Sequence, residues 1–323
     1  MRDTALVLKP SQCGTQCRGR AALKIFYADD YVLPLPAQHR FPMRKYALLR
    51  ARVEEEGLGG TNGLHSAPRA TDEEILRAHD ARYLARVKAG QLSSDEQRRI
   101  GFPWSPELVE RSRRSSGATL AAARAALQDG VGINLGGGTH HAFRDRGEGY
   151  CVFNDSAIAA LTLQAEGKVR RVAILDCDVH QGNGTAAILA DDPTVFTLSV
   201  HGANNFPFDK QESDLDIELP DSTGDRDYLA AVEAGVCRAL SASQPDLAIY
   251  LAGADPFEGD RLGRLAITKK GLAARDRLVF ELCQSAGVAV AIAMAGGYAR
   301  RIEDSVDIHL TTVRTAVELL VSG

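Results

Sequence analysis

No stretch of about 18 apolar residues occurs in the chain, which excludes a transmembrane helix. Met1 to Arg20 is interrupted by Lys9, Pro10, Arg18 and Arg20, so no secretory leader is expected there. An excess of one charge is missing too: 38 Lys and Arg stand against 42 Asp and Glu, a net charge of −4. That balance argues against a protein that holds nucleic acid by bulk electrostatics. Cysteine is sparse, six in 323 residues, which fits a reducing cytoplasm rather than a disulfide framework. Cys151, Cys177, Cys237 and Cys283 lie among apolar neighbours and read as small buried hydrophobes. Cys13 and Cys17 have no second Cys/His pair nearby, so a flexible extension over residues 1–22 outweighs a metal or redox pair. Repeats, low-complexity tracts and linkers are absent, which leaves one catalytic-sized domain over residues 23–323. Composition does not address its oligomeric state.

What is present is ordinary globular composition, 45% hydrophobic and 25% charged, in a chain long enough to bury a core without staples. Apolar β-rich runs occur at Leu23–Tyr27, Gly132–Leu135, Arg171–Leu175, Thr194–Val200, Leu247–Leu251 and Val288–Met294. Helical patterns lie between and after them at Pro106–Gln128, Asp155–Glu166, Asp225–Ala242, Thr268–Ser285 and Ser305–Leu320. Strands apolar throughout, separated by helix-length segments, mean a sheet covered on both faces. The expected fold is α/β, a single three-layer αβα domain with a central, mainly parallel sheet.

In such folds chemistry collects just beyond the C-terminal ends of the strands. Five consecutive strand exits here carry His, Asp or Tyr beside or near glycine: Gly136–His141, Asp176–Gly184, His201, Gly253–Asp255 and Gly296–Tyr298. Singly, each has a bland reading as a phosphate loop, a helix cap or a structural histidine. The Gly136–Gly138 loop lacks the Lys-Ser/Thr of a nucleotide loop and the spacing of a dinucleotide fingerprint. Jointly the bland readings weaken, because all would have to fall on one sheet edge by chance.

Asp178 and His180 stand at i and i+2, so in extended chain their side chains point the same way while Cys177 and Val179 point elsewhere. Asp255 from another strand supplies a third ligand and leaves a position open, the pattern of catalytic zinc. Two carboxylates and one imidazole also suit Fe²⁺ or Co²⁺.

These motifs resemble those of the histone deacetylase superfamily, which shares the arginase-like fold. The resemblance spans about residue 23 to the C-terminus. His180–Gly184 and Gly253–Gly263 are similar to the class IV branch and its bacterial relatives. The resemblance implies hydrolysis of an acyl group, acetyl or a longer fatty acyl, from the ε-amine of lysine in a protein or peptide. It implies Zn²⁺ on Asp178, His180 and Asp255, with His140 and His141 as the tandem histidines, Asp176 behind His140, and Tyr298 polarising the substrate carbonyl. His141 would act as general base toward a metal-activated water.

The resemblance also implies structural K⁺ or Na⁺. One site would use Asp176, Asp178, His180, Ser199 and Val200, and a second would use main-chain oxygens near Leu189, Asp192, Val195 and Tyr228. It makes Tyr150 a channel wall and places Leu262 in the channel, and Gly149 and Phe208 are expected to line the same channel, Phe208 as a second aromatic flank. Gly136–Gly138 and Gly296–Gly297 are expected to leave room for a long acyl tail.

Asn183 departs from the pattern, since many relatives carry Asp there. Asn orients His141 without stabilising an imidazolium, so a lower His141 pKa is expected. His39 is placed at the channel mouth and Asn204–Phe208 at its rim. Arg111, Arg113, Arg114, Ser115 and Ser116 are read as a solvated helix face. His65, His79 and His309 are read as structural, and His201 as bordering the site. Two other functions stay open: a deacetylase of small amides such as acetylpolyamines, and a non-catalytic acyl-lysine binder.

Overall fold

A computed structural model describes residues 23–36, 38–60 and 63–321. Its centre is one eight-stranded sheet in the order β2-β1-β3-β8-β7-β4-β5-β6, every pairing parallel. The strands are β1 (Lys24–Tyr27), β2 (Leu64–Ser66), β3 (Val131–Asn134), β4 (Val172–Asp176), β5 (Val195–Gly202), β6 (Leu215–Leu219), β7 (Leu247–Leu251) and β8 (Ala289–Ala293).

Both faces of the sheet are covered, which is why β4 and β7 are apolar almost throughout. Along β4, Ala173 and Leu175 enter one core while Val172 and Ile174 enter the other, the period-2 alternation of a strand. On the first face pack α1 (Arg44–Glu55), α8 (Asp225–Ser243), α9 (Lys269–Ser285) and α10 (Ile302–Ala316). On the second lie α2 (Asp72–Ala78), α3 (Ala81–Ala89), α4 (Ser94–Ile100), α5 (Pro106–Asp129), α6 (Asp155–Ala165) and α7 (Asn183–Leu189). Each Leu, Ile or Val fully buried there contributes about 2 kcal/mol relative to exposure.

All six strands and all five helices expected from the sequence are present. The two added strands, β2 and β6, are the sheet edges, and their sequences LHS and LDIEL are short or polar. The expected Ser305–Leu320 helix begins three residues earlier, and its last turn, Val317–Val321, is π-helical. Helices α1 to α4 carry more charge and were not marked by apolar periodicity. The sequence expectation for residues 1–22, with Cys13 and Cys17, lies outside the described residues.

Candidate active site

The five strands whose exits carry these motifs are neighbours in the sheet, β3-β8-β7-β4-β5. Because all are parallel, their C-terminal ends share one edge, and β4, β7 and β8 bring the site together at its centre. The chain passes from β3 to β4 across the places that β8 and β7 later fill, a topological switch of the kind where ligands bind.

Asp178, His180 and Asp255 converge there, all buried. His180 Nδ1 lies 2.9 Å from Asp178 Oδ1 and 3.3 Å from Asp255 Oδ2. A tetrahedral ion with bonds of about 2.1 Å needs donor separations of about 3.4 Å, so the donors are set at the right scale. The outer oxygens are anchored by backbone: Gly296 N–H donates to Asp178 Oδ2 at 2.8 Å, and Val179 N–H to Asp255 Oδ1 at 3.0 Å. Asp255 Oδ2 is buried without a hydrogen bond, which a bound cation would remedy. Cys177 and Val179 point into the core instead.

The electrostatics favour a cation too. Burial and the neighbouring Asp178 charge push the Asp255 carboxyl up to about 6. Burial would lower His180, but Asp178 and Asp255 raise it to about 10. Two buried carboxylates facing each other demand positive charge, and a divalent ion supplies it where a proton otherwise would. The donor set therefore fits a divalent metal.

Two histidines flank this centre, their rings 4.1 Å apart. Both come from the loop after β3, where Gly137 and Gly138 take left-handed φ values of 79° and 72° that favour glycine. Asp155, at the start of α6, ties the loop down by accepting from Gly138 N at 2.8 Å, Thr139 N at 2.8 Å and Thr119 Oγ1 at 2.6 Å. His140 Nδ1 faces Asp176 Oδ2 at 2.6 Å. Burial lowers the His140 pKa, but Asp176 and Asp178 outweigh it and raise it to about 9. His141 Nδ1 faces Asn183 Oδ1 at 2.7 Å. Burial and the charges of His140 and His180 hold His141 well below its usual pKa, and Asn183 brings no charge to reverse that. One ring is built to stay charged, the other neutral.

Tyr298 completes the set from the loop after β8. Asp260 Oδ2 accepts from its backbone N–H at 2.6 Å, and Lys45 Nζ, buried beneath, donates to Ala295 O at 3.2 Å and sits 5.5 Å from the Tyr298 ring centroid. Burial, and then the carboxylates of Asp255 and Asp178, push the phenol well above its ordinary pKa, so it remains a proton donor across the working range. Above the donors an aromatic tube opens outward. Tyr150 and Tyr298 stand 6.0 Å apart, and Phe206 packs 5.0 Å from His141. Leu262, Gly149 and Phe208 line the outer space.

A profile described as the histone deacetylase domain matches residues 39–313. The chain belongs to the histone deacetylase family. An uncharacterized protein of Picosynechococcus is 45% identical over 90% of this chain and 97% of its own. The histone deacetylase-like amidohydrolase of Pseudomonas aeruginosa is 31% identical over 82% of this chain and 74% of its own. The fold agrees as well: a crystal structure of a deacetylase homologue from Aquifex aeolicus superposes with a TM-score of 0.78 at 22% identity, covering 92% of this chain and 88% of that one.

Within this deacetylase-family fold some sequence expectations shift. The Tyr228 side chain packs in the core on the α8 face of the sheet, whereas those of Leu189 and Val195 pack on the other. Phe208 is 82% exposed and stands at the rim, leaving the inner wall to Phe206. Cys237 is exposed on α8 rather than buried.

The expected solvated face of α5 is largely covered. Arg113 is buried, donates to Ala70 O at 3.0 Å and pairs with Asp72, and Ser116 is buried. Arg111 stacks on Tyr46 and lines the space beneath the histidines. The reason is packing: loops and α2 lie over a helix whose arginine stems reach out to cap them. His39 stacks on Phe102 beside Tyr150, close to the mouth. His201 is buried on β5 against Ser199, and His79 and His309 are buried.

Sequence reasoning passed over Phe41, Lys45, Asp155, Asp260 and Phe206. Asp260 and Phe206 were within quoted motifs but had no unusual chemistry to mark them. Phe41 and Lys45 reach the site only through the fold.

Proposed function

We propose that this protein is a divalent-metal-dependent amidohydrolase that removes an acetyl or other short acyl group from the ε-amine of lysine in a protein or peptide. The observation that carries it is the convergence of the Asp178–His180–Asp255 donors, a neutral His141 and the Tyr298 phenol at the floor of an aromatic tube. Zn²⁺ is the expected ion, with Fe²⁺ or Co²⁺ compatible with the same donors. When bound, such an ion supplies Lewis acidity toward an amide oxygen and acidifies water.

The remaining steps belong to this chain's own groups. His141 Nε2, left free while Nδ1 donates to Asn183, takes the proton of the attacking water and delivers it to the departing amine. Tyr298 donates to the oxygen on which charge develops, help worth about 3–4 kcal/mol in other hydrolases. His140, held charged by Asp176, stabilises the same negative charge. Tyr150 and Phe206 enclose the lysine stem, at about 0.8 kcal/mol per buried methylene. A monovalent ion beside Asp176 belongs to the same reading, since Asp176 and Ser199 are register partners across β4 and β5.

The size of the floor supports a short acyl group. The cavity under the site holds about 60 Å³, room for about four waters, which suits acetyl and short acyl groups. Two of the glycines expected to admit a long tail are hemmed in: a side chain at Gly138 would meet Ala295, and one at Gly296 would meet the Asp255 and Asp178 carboxylates. Their missing side chains make room for neighbours already in place. Complete donor, base and phenol positions argue against a pure binder.

The test is hydrolysis of acetyl-, octanoyl- and myristoyl-lysine peptides and acetylputrescine by protein of measured metal content, before and after chelation. Metal-dependent turnover, greatest for acetyl-lysine peptide and at least tenfold lower for myristoyl, is expected. No turnover of any amide by metal-loaded protein leaves the binder, and preference for acetylputrescine transfers the case to small amides.

A further inference from the structure

The mouth of the tube carries mostly positive charge, which no catalytic step uses. Arg99, at the end of α4, lines it beside Glu148. On another side Arg261 donates through Nη2 to Arg40 O at 3.2 Å, which brings these two arginines together, and both act electrostatically on Tyr150. Arg98 and Arg264 also line the mouth, each with one carboxylate partner, Asp95 and Asp221. All five arginines are exposed. Among the described residues, Arg99, Arg40 and Arg261 show no ion pair with a carboxylate.

The opposing acids are few. Glu148 lines the mouth and is half-buried, burial raising its pKa against the attraction of Arg146 and Arg99, and Asp209 lies near it. Positive charge therefore dominates the rim, although the whole chain carries a net charge of −4. The patch is local and surrounds an opening that accepts one side chain.

We infer that this rim selects the sequence around the modified lysine, and that the preferred substrate is an acyl-lysine flanked by acidic residues. The inference rests on the deacylase reading of the same site. A peptide whose lysine descends the tube lays its neighbours across Arg99 on one side and Arg40 and Arg261 on the other. Carboxylates placed there are attracted, and basic residues or a polyamine are repelled. A concave mouth around a single-residue tube favours a peptide over a nucleic acid or a lipid surface.

The experiment uses three labelled acetyl-lysine peptides of equal length with acidic, neutral or basic flanks, and reads both binding and kcat/KM at two salt concentrations. Acidic flanks are expected to bind about tenfold tighter than basic ones at 50 mM salt, with the gap shrinking at 500 mM as screening grows. The double variant Arg40→Glu with Arg99→Glu, checked for an unchanged melting temperature, is expected to abolish or reverse that order. Equal binding of all three peptides, a basic preference, or a salt-independent gap overturns the inference. So does displacement of the acidic peptide by an oligonucleotide at a lower concentration than the free peptide needs. An acidic preference in binding with no hydrolysis of any of the three supports the rim and overturns the catalytic reading, so the two failures are distinct.

Discussion

Two buried charged clusters lie back to back around the loop that follows β7, and they are built to opposite ends. In the one behind the loop, every polar atom is answered. Asp276 accepts from Tyr250 at 2.6 Å, from Arg275 Nε at 2.9 Å and Nη2 at 2.8 Å, and from Thr312 at 2.6 Å. Arg275 Nη1 donates to Gly253 O at 2.6 Å. In the one before it, two residues on, Asp255 keeps a buried oxygen with no hydrogen bond. A closed cluster fixes the loop, while an open one leaves donors that a cation would complete. Burial is the same in both, so completeness of pairing separates structural from functional charge.

That contrast is most open to attack by removing one member from each cluster. Arg275→Met leaves Asp276 buried beside Tyr250 and Thr312 without its cation, and should cost about 3–5 kcal/mol of stability in a denaturant titration. Asp255→Ala should cost far less stability, yet lose bound metal and turnover together. Elemental analysis beside the titration decides it: equal metal in a folded Asp255→Ala protein removes Asp255 from the donors, and equal destabilisation of both variants erases the contrast.

Within the open cluster the roles separate further. Tyr298→Phe removes one donor and spares the metal, so turnover should drop about 10²–10³-fold. His141→Ala should be more damaging than His140→Ala at saturating substrate, because the neutral ring moves protons and the charged one stabilises. A His140→Ala protein that is worse at every pH reverses the assignment.

The smallest effect comes from a buried group in neither cluster. His79 accepts from Asn154 N–H at 2.9 Å, and desolvation by burial lowers its pKa to about 4, against an unfolded value of about 6.5. The unfolded chain binds the extra proton between those values. Its stabilising contribution is therefore full above pH 6.5 and lost as the pH falls toward 4, by about 1.4 kcal/mol per pH unit. His79→Gln, which keeps an acceptor for Asn154, should flatten the pH dependence by that slope. An unchanged slope would show that His79 titrates normally.

Much of this was readable along the chain. The apolar runs of β3, β4, β5, β7 and β8 announce a doubly covered sheet, because a strand buried on both faces has no polar alternation to conceal it. The chemistry could be read at their ends for the same reason: Asp178, His180, Asp255, His141 and Tyr298 stand where an apolar strand stops, and charge there has no packing explanation. Edge strands β2 and β6 escaped because one side of an edge needs no apolar residue.

Tertiary structure alone decided the rest. The sequence could pair Asp178 with His180, two residues apart, but only the β4–β7 pairing brings Asp255 within 3.3 Å of His180. Chain position gave no sign that Arg113 is buried or that Phe206 rather than Phe208 meets His141. Nor could it show Arg98, Arg99 and Arg264 lining one mouth, with Arg261 held on Arg40 beside Tyr150, since they come from separate loops and helix ends. Local sequence sets what a strand buries and what it exposes at its tip. Which tips meet, and what fills the space a glycine leaves, depends on contacts between segments far apart in the chain, and no local pattern encodes them.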